Sequence, residues 1–260
     1  MKNDILQIHQ GVGPLLISLP HDGSAIPEPL QERMLPSART APDTDWYVSR
    51  LYSFAKSLGA TILQPKYSRY VIDLNRPPDD VSLYPGQNIT GLCPTRQFTG
   101  EDVYLDGQEP GADEIDSRIE QYWRPYHDAL KVQIERLHSL HGRVLLWEGH
   151  SIKSQVPFLF EGRLPDFNVG TVAGASCKPD TQKAIEQTLA SQSNFSWVTN
   201  GRFKGGHITR HYHDLGTNIE TVQLELAQCT YMDENSLRYD EALAGNTQQQ
   251  ILTMLEAALS

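Results

Sequence analysis

Short apolar runs alternate along the chain with longer segments in which apolar residues recur at helical spacing. The runs at 15–19 and 144–147 are apolar throughout, which is typical of inner strands in a sheet that is buried on both faces. The pattern predicts strands at 5–9, 14–20, 60–64, 70–74, 143–148, 166–172, 195–199 and 221–226. It predicts helices at 43–59, at 112–140 with a kink at Pro125, at 179–191 and from a turn at 245–247 to the end.

This alternation of helices and strands predicts an α/β protein with a mostly parallel sheet that is covered on both faces. The chain has 260 residues, which fits one large domain over 1–260. It carries 22 basic and 32 acidic residues, a net charge of −10, so neither nucleic acid nor a membrane surface is expected as a partner. The start of the chain has no signal-peptide pattern and no apolar run of spanning length occurs, so a cytoplasmic location is expected.

Two of the inner strands lead directly to a histidine, His21 in the first case and His150 in the second. Neutral imidazole is the commonest metal ligand, and a hydrolytic zinc site uses about three protein ligands. The histidines therefore predict a metal site at the strand ends, although each ring could instead bond to the backbone. Four acids compete as the third ligand, namely Asp22, Asp43, Asp45 and Glu148. We favour Asp45, because the amino end of a helix can aim its carboxylate into the cleft.

A second constellation surrounds the predicted strand at 70–74. Arg69 and Arg76 flank it, and Asn75 precedes the second arginine. A planar guanidinium binds a carboxylate through two parallel hydrogen bonds, so this segment indicates recognition of an anionic substrate. Ion pairing with neighbouring aspartates is the alternative for both arginines, and it is the weaker alternative for Arg76.

The segment 200–213 is locally basic in an otherwise acidic chain. It contains Arg202 and Arg210 around a Gly-Gly pair, where the backbone can approach a ligand closely. This combination fits a site for a small dianion, although a solvated turn is the simpler interpretation. The segment also holds three further candidate metal ligands, namely His207, His211 and His213. They lack the glutamate that accompanies paired histidines in zinc-peptidase helices.

Glu225 is the candidate general base. In the predicted strand at 221–226 it shares a face with Gln223 and Ala227, while leucines occupy the other face. If Glu225 points inward, burial raises its pKa towards the range that suits a base at neutral pH. An outward-facing acid on a half-exposed strand is the alternative.

Taken in order, several blocks resemble the N-formylglutamate amidohydrolases of histidine degradation. They are Ser-Leu-Pro-His-Asp-Gly at 18–23, Asp-Thr-Asp-Trp at 43–46, Ser-Arg-Tyr-Val-Ile-Asp-Leu-Asn-Arg at 68–76, Trp-Glu-Gly-His-Ser at 147–151, Gly-Arg-Phe-Lys-Gly-Gly at 201–206 and Gln-Leu-Glu-Leu at 223–226. That family is similar in fold to the zinc carboxypeptidases and aspartoacylases. The resemblance implies an α/β/α sandwich, a divalent metal such as Zn²⁺ or Co²⁺ and a water nucleophile.

By the same resemblance, His21 and His150 are expected as metal ligands, Glu225 as the catalytic carboxylate and Asn75 with Arg76 as the pair that holds substrate carboxylate. The wider carboxypeptidase pattern is His-x-x-Glu, and here Ser24 stands where that glutamate would be. The carboxylate ligand must then come from elsewhere, and Asp45 is the candidate. His213 stands where relatives that look like deformylases are expected to have glycine.

These observations lead to the hypothesis of metal-dependent hydrolysis of N-formyl-L-glutamate to formate and L-glutamate. Arg76, together with one or more of Arg69, Arg202 and Arg210, would bind the two carboxylates. One alternative is an amidohydrolase or carboxypeptidase-like enzyme for another N-acyl amino acid. A non-enzymatic alternative is a protein that binds small acidic molecules. The expected partner is a small anionic substrate, and the expected state is a monomer or small homo-oligomer.

Overall fold

The structure is a computed structural model that describes residues 5–82 and 90–260. Nine strands are present in these ranges: β1 Leu6–His9, β2 Leu15–Ser18, β3 Thr61–Pro65, β4 Val144–Ile152, β5 Phe167–Gly170, β6 Trp197–Thr199, β7 Ile219–Ala227, β8 Met232–Asp233 and β9 Arg238–Tyr239. The first seven form one sheet in the order β1-β3-β2-β4-β7-β5-β6, and β8 pairs with β9. Within the large sheet, β1–β3 and β7–β5 are antiparallel and the other neighbours are parallel. The predicted α/β class with a mixed, mostly parallel sheet is therefore confirmed.

Seven α-helices accompany these strands: α1 Glu28–Gln31, α2 Val48–Leu51, α3 Ala112–Arg118, α4 Arg124–His141, α5 Pro179–Ala190, α6 His207–Tyr212 and α7 Glu241–Leu259. Short 3₁₀ segments follow at Ala38–Thr40, Tyr52–Leu58, Val172–Gly174, Leu215–Thr217 and Gln228–Thr230. A π-helical turn, Ile119–Trp123, joins α3 to α4 just before Pro125, where the sequence predicts a kink. Among the helices of the described ranges, none is both long and apolar enough to cross a membrane.

Both faces of the sheet are covered, because the side chains of each inner strand enter two separate cores. Leu15 and Ile17 pack with residues of α2, α5 and α7, whereas Leu16 packs with residues of α4. Strands β2, β4 and β5 are buried along their whole length. Burial on both faces explains why the strands are mostly apolar where they do not carry site residues; Ser18 and Asn168 are exceptions, and each bonds a buried partner.

Three predicted elements are wrong in type or position. Residues 70–74 are buried but form a turn-rich segment and not a strand. The helix predicted from residue 43 begins only at Val48 and soon becomes a 3₁₀ helix. The last helix begins at Glu241, where the Asp240 side chain accepts hydrogen bonds from two backbone amides, and the predicted turn at 245–247 lies inside it. An N-terminal cap of this kind outweighs one unfavourable glycine in the helix interior.

Candidate active site

The carboxyl ends of β2, β4 and β7 lie side by side at one edge of the sheet, because these strands are parallel neighbours. His21 follows β2. Strand β4 does not end at residue 148 as predicted but continues to Ile152, so His150 lies within it. The strand register pairs His150 with Glu225 of β7, which brings both side chains to the same face. In open α/β sheets this edge is where ligands bind.

His21, Asp45 and His150 form a buried group whose ligand atoms all lie within 4.8 Å of one another. The Asp45 Oδ2 atom lies 3.0 Å from Nδ1 of His150 and 3.8 Å from Nδ1 of His21. Two backbone bonds fix this acid, since its amide donates to the carbonyl of His21 and its carboxylate accepts from the amide of Ser151. Two imidazoles and one carboxylate are a donor set that suits zinc and leaves a position for water.

Two further acids fix the histidine rings from behind. Asp73 Oδ1 lies 2.7 Å from Nε2 of His21, and Glu148 Oε1 lies 2.6 Å from Nε2 of His150. A carboxylate that accepts from one ring nitrogen orients the ring and leaves the other nitrogen for a metal. In both rings that other nitrogen is the Nδ1 atom that faces Asp45. The arrangement therefore fits a divalent cation held by Nδ1 of each histidine and by the Asp45 carboxylate.

The other acids that compete for the third ligand position in the sequence have different partners in the fold. Asp22 accepts from the Gln64 side chain at 2.5 Å and from the backbone amide of Ser49 at 3.2 Å. Asp43 accepts from the Tyr70 hydroxyl at 2.5 Å and from the backbone amide of Phe98 at 2.8 Å. Glu148 bonds His150 and accepts from the backbone amide of Thr209. Among these four acids, only Asp45 belongs to the buried group with both histidines.

The charges around the group shift several pKa values. Burial opposes the charged form of His150, but Glu148 and Asp45 raise its pKa well above the usual range. Burial also opposes ionisation of Asp73, yet His21 and Arg69 hold the pKa of that carboxyl well below its usual range. Burial raises the pKa of Glu225 to about 8. In the metal-free protein the His150 ring is thus protonated, with one carboxylate at each nitrogen.

The predicted substrate-binding side chains occupy different positions around the adjoining cavity. Arg69, Asn75, Arg76 and Arg202 line it, together with the three residues of the buried group and Glu225. Arg210 is not among the lining residues; its Nε donates to the carbonyl of Gly205 at 2.9 Å. The cavity has a volume of about 100 Å³, which is small and suits a compact substrate.

Two of the arginines that line the cavity, Arg69 and Arg202, each lie over a phenyl ring. The guanidinium of Arg69 lies 4.9 Å from the ring centre of Phe98, and that of Arg202 lies 5.2 Å from the ring centre of Phe160. Arg69 is also buried and bonds Asp73 at 2.7 Å, with Asp45 at 3.9 Å. Stacking and ion pairing hold planar guanidinium groups in fixed orientations.

Sequence reasoning missed the side chains that hold the backbone of Leu74, Asn75 and Arg76. His127 Nε2 donates to the carbonyl of Leu74 at 2.9 Å, and Trp123 Nε1 donates to the carbonyl of Arg76 at 2.9 Å. The Asn75 side chain accepts from the backbone amide of Ile208 at 2.9 Å. The sequence signal near them is the kink predicted at Pro125; the structure has a π-helical turn just before it, and such turns are frequent at functional sites.

None of the three histidines of segment 200–213 joins the candidate ligands, and two of them, His207 and His211, lie beside the rings of Trp123 and Tyr212. His207 stands 5.8 Å from the Trp123 ring and 5.0 Å from the His211 ring. His213 Nδ1 lies 3.2 Å from the carbonyl oxygen of Thr209. Within residues 5–82 and 90–260, His21, Asp45 and His150 form the one group of three or more side chains that can hold a metal ion.

Comparisons with known proteins find relatives that match most of the chain. A family model described as N-formylglutamate amidohydrolase matches residues 13–232. The N-formylglutamate deformylase of Pseudomonas putida is 48% identical over 257 residues, which cover 98% of this chain and 96% of that protein. The N-formylglutamate deformylase of Pseudomonas aeruginosa is 47% identical over 259 residues, which cover 99% of this chain and 97% of that protein.

Two solved structures share the fold. The crystal structure of N-formylglutamate amidohydrolase from Ralstonia eutropha JMP134 matches with a TM-score of 0.81 and 24% identity, over 97% of each chain. The crystal structure of gene product Atu2144 from Agrobacterium tumefaciens matches with a TM-score of 0.72 and 18% identity, over 98% of this chain and 96% of the other. At these identities the likeness establishes the fold alone.

Proposed function

This chain belongs to the N-formylglutamate amidohydrolase family, and from that premise we propose that it hydrolyses N-formyl-L-glutamate to formate and L-glutamate with a bound divalent metal. The family model and the two relatives confirm the family that the sequence predicts. The observation that carries the proposal is the buried group of His21, Asp45 and His150 beside Glu225, at the floor of a cavity with arginines in its wall.

His21, Asp45 and His150 would hold the metal, and zinc is our choice because imidazole and carboxylate ligands suit it. When bound there, a divalent cation would lower the pKa values of nearby water and of Glu225 and would polarise the formyl oxygen. Asp73 and Glu148 keep the two rings in the orientation that presents Nδ1. Each ligand is thus backed by a partner that restricts its movement.

Glu225 acts as the general base in this proposal. It accepts one proton from the attacking water, whose oxygen forms a bond to the formyl carbon. The carbon–nitrogen bond of the amide then breaks as Glu225 returns that proton to the glutamate nitrogen. The remaining water proton leaves formic acid and is taken up by the free amine, so formate and glutamate with a charged amino group are the products. Burial of Glu225 keeps its proton affinity high enough for both transfers.

The two substrate carboxylates are assigned to the arginine side of the cavity. Arg76 and Arg202 line that side with guanidinium groups, and beside them lies the Asn75 amide, which accepts from the backbone amide of Ile208 and lies 3.1 Å from Nε2 of His150. Arg69 lies close to Asp45 and contributes positive charge beside the scissile amide. Fixing a dianion at these points converts its binding energy into alignment of the formyl group. A cytoplasmic location and a monomeric or small homo-oligomeric state stay predictions from the sequence.

The test is a comparison of wild-type and Glu225→Gln protein, both loaded with zinc. We expect wild-type protein to bind one metal per chain and to hydrolyse N-formyl-L-glutamate faster than N-acetyl-L-glutamate or N-formyl-L-aspartate. The variant should keep its metal but lose about 10²- to 10⁴-fold in kcat, the usual contribution of a positioned base. A variant with nearly full activity would remove Glu225 from the mechanism. Activity that is unchanged after complete chelation of metal would remove the metal.

A further inference from the structure

A second cavity, of about 360 Å³, adjoins the catalytic cavity. The two share three lining residues, Phe98, Ser151 and Ile152. The remaining wall of the second cavity contains both apolar and polar residues. The apolar ones include Val156, Pro157 and Phe158. The proposed reaction gives this space no role, although it is larger than the cavity where the reaction takes place.

The second cavity adjoins the metal-ligand side of the catalytic cavity. Its wall includes Asp43 and Thr44, which directly precede Asp45, and residues 151–153, which directly follow His150. The proposed carboxylate-binding residues Asn75, Arg76 and Arg202 line the catalytic cavity but not the second one. A substrate whose carboxylates lie at the arginines and whose amide lies at the metal therefore directs its acyl group towards the second cavity.

Phe98 contributes to both walls and is held on two sides. Its backbone amide donates to Asp43 at 2.8 Å, and the same carboxylate accepts from the Tyr70 hydroxyl. The Arg69 guanidinium lies over the Phe98 ring at 4.9 Å. A ring fixed by its backbone and covered by a buried arginine cannot move aside without breaking these contacts.

We propose that Phe98 sets the size limit for the acyl group by separating the catalytic cavity from the second cavity. This inference rests on the proposed function, since it assigns the acyl end of the same substrate. A formyl group carries only hydrogen beyond its carbonyl carbon and fits on the catalytic side of the ring. Loss of the ring joins the two cavities, and a longer acyl chain then enters space lined by Ile152, Val156 and Phe158.

The experiment measures kcat/KM of zinc-loaded wild-type and Phe98→Ala protein on N-formyl-, N-acetyl-, N-propanoyl- and N-butanoyl-L-glutamate. We expect the ratio of butanoyl to formyl kcat/KM to rise at least tenfold in the variant, since one methylene changes discrimination by about 10- to 200-fold. An unchanged ratio in a folded, active variant overturns the proposal. Wild-type turnover of the formyl substrate tests the proposed function separately, because the proposal concerns only the change in the ratio.

Two further variants test whether the size and position of the Phe98 side chain cause the change in acyl preference. Phe98→Leu opens a smaller gap and should admit acetyl and propanoyl groups more than butanoyl. Phe158→Ala enlarges the second cavity but leaves the Phe98 ring in place. Its ratio of butanoyl to formyl kcat/KM should therefore match that of wild type.

If Phe98→Ala shows no turnover, its affinity for N-butanoyl-L-glutamate is measured by calorimetry. Tighter binding than in wild type supports the proposal that Phe98 separates the two cavities, and equal or weaker binding overturns it.

Discussion

The two sides of the catalytic cavity are built in different ways. On the metal side, His150 and Glu225 lie on paired strands, and the ring nitrogens behind the candidate ligands are bonded by buried carboxylates. On the substrate side, Asn75 and Arg76 lie on a segment without regular structure, whose carbonyls are held by side chains of the π-turn and α4. Strand register fixes the first side, whereas single hydrogen bonds fix the second. Changes on the metal side should therefore act on metal affinity and kcat, and changes on the substrate side on KM.

Among variants of the substrate side, Arg76→Ala should give the largest change in KM and should separate the two sides most clearly. Removal of a guanidinium that pairs with a substrate carboxylate costs about 2–5 kcal/mol, so KM should rise on the order of 10²-fold. Metal content should not change. Arg76→Lys is the matched control, and it should recover only part of the loss because an ammonium cannot bind a carboxylate in the bidentate manner. A fall in kcat with unchanged KM would contradict the assignment.

Glu148→Gln tests the metal side through a residue that is not a ligand. Loss of the buried charge behind His150 should weaken zinc affinity by about 10- to 100-fold, with much of the activity recovered in excess zinc. Zinc titration with a competing chelator provides the measurement. Thr209→Val removes a hydroxyl that bonds the same carboxylate but keeps the charge, so its effect should be smaller. Equal zinc affinity in Glu148→Gln and wild type would mean that this carboxylate does not support the metal side.

Zinc binding should become tighter as pH rises. Burial opposes the protonated ring, but Glu148 and Asp45 raise the pKa of His150 well above its usual range, so zinc must displace a proton from Nδ1. Below that pKa, each proton displaced changes the apparent affinity about tenfold per pH unit. Calorimetry in buffers of different ionisation enthalpy should show at least one proton released per zinc bound near pH 7. Release of no proton would place the metal away from this ring.

Trp123→Phe should give the smallest change in KM and tests whether a single hydrogen bond helps to fix the substrate side. The variant keeps the aromatic packing but loses the Nε1 donor to the Arg76 carbonyl. One such hydrogen bond contributes about 1 kcal/mol, so KM should rise about fivefold while kcat and zinc affinity stay unchanged. Trp197→Phe is the control, because this residue lies on edge strand β6, far along the sheet from the site. Equal KM values in Trp123→Phe and wild type would show that His127 and α6 hold the segment without the indole.

Much of the sheet follows from the sequence, because the alternation of apolar runs and helical patterns is a local property of the chain. Strands β2, β3, β5, β6 and β7 and helix α5 lie close to their predicted positions. Residues 70–74 carry the same apolar signal but no strand forms, since side chains supply partners for their carbonyls, Arg118 for Val71 and His127 for Leu74. Burial is the quantity that an apolar run reports, and hydrogen-bond pairing with a neighbouring strand is a separate condition.

The sequence by itself determined which apolar runs lead to a histidine and which strand carries an acid, so His21, His150 and Glu225 could be named as candidates before the fold was known. Only the tertiary structure decided which of four acids joins the histidines, which carboxylates lie behind their rings and that Phe98 lines two cavities. The physical reason is distance along the chain. Asp45 and His150 are 105 residues apart and meet through packing that no local pattern encodes. Side-chain type fixes the chemistry that each residue can perform, and the fold selects the residues that perform it together.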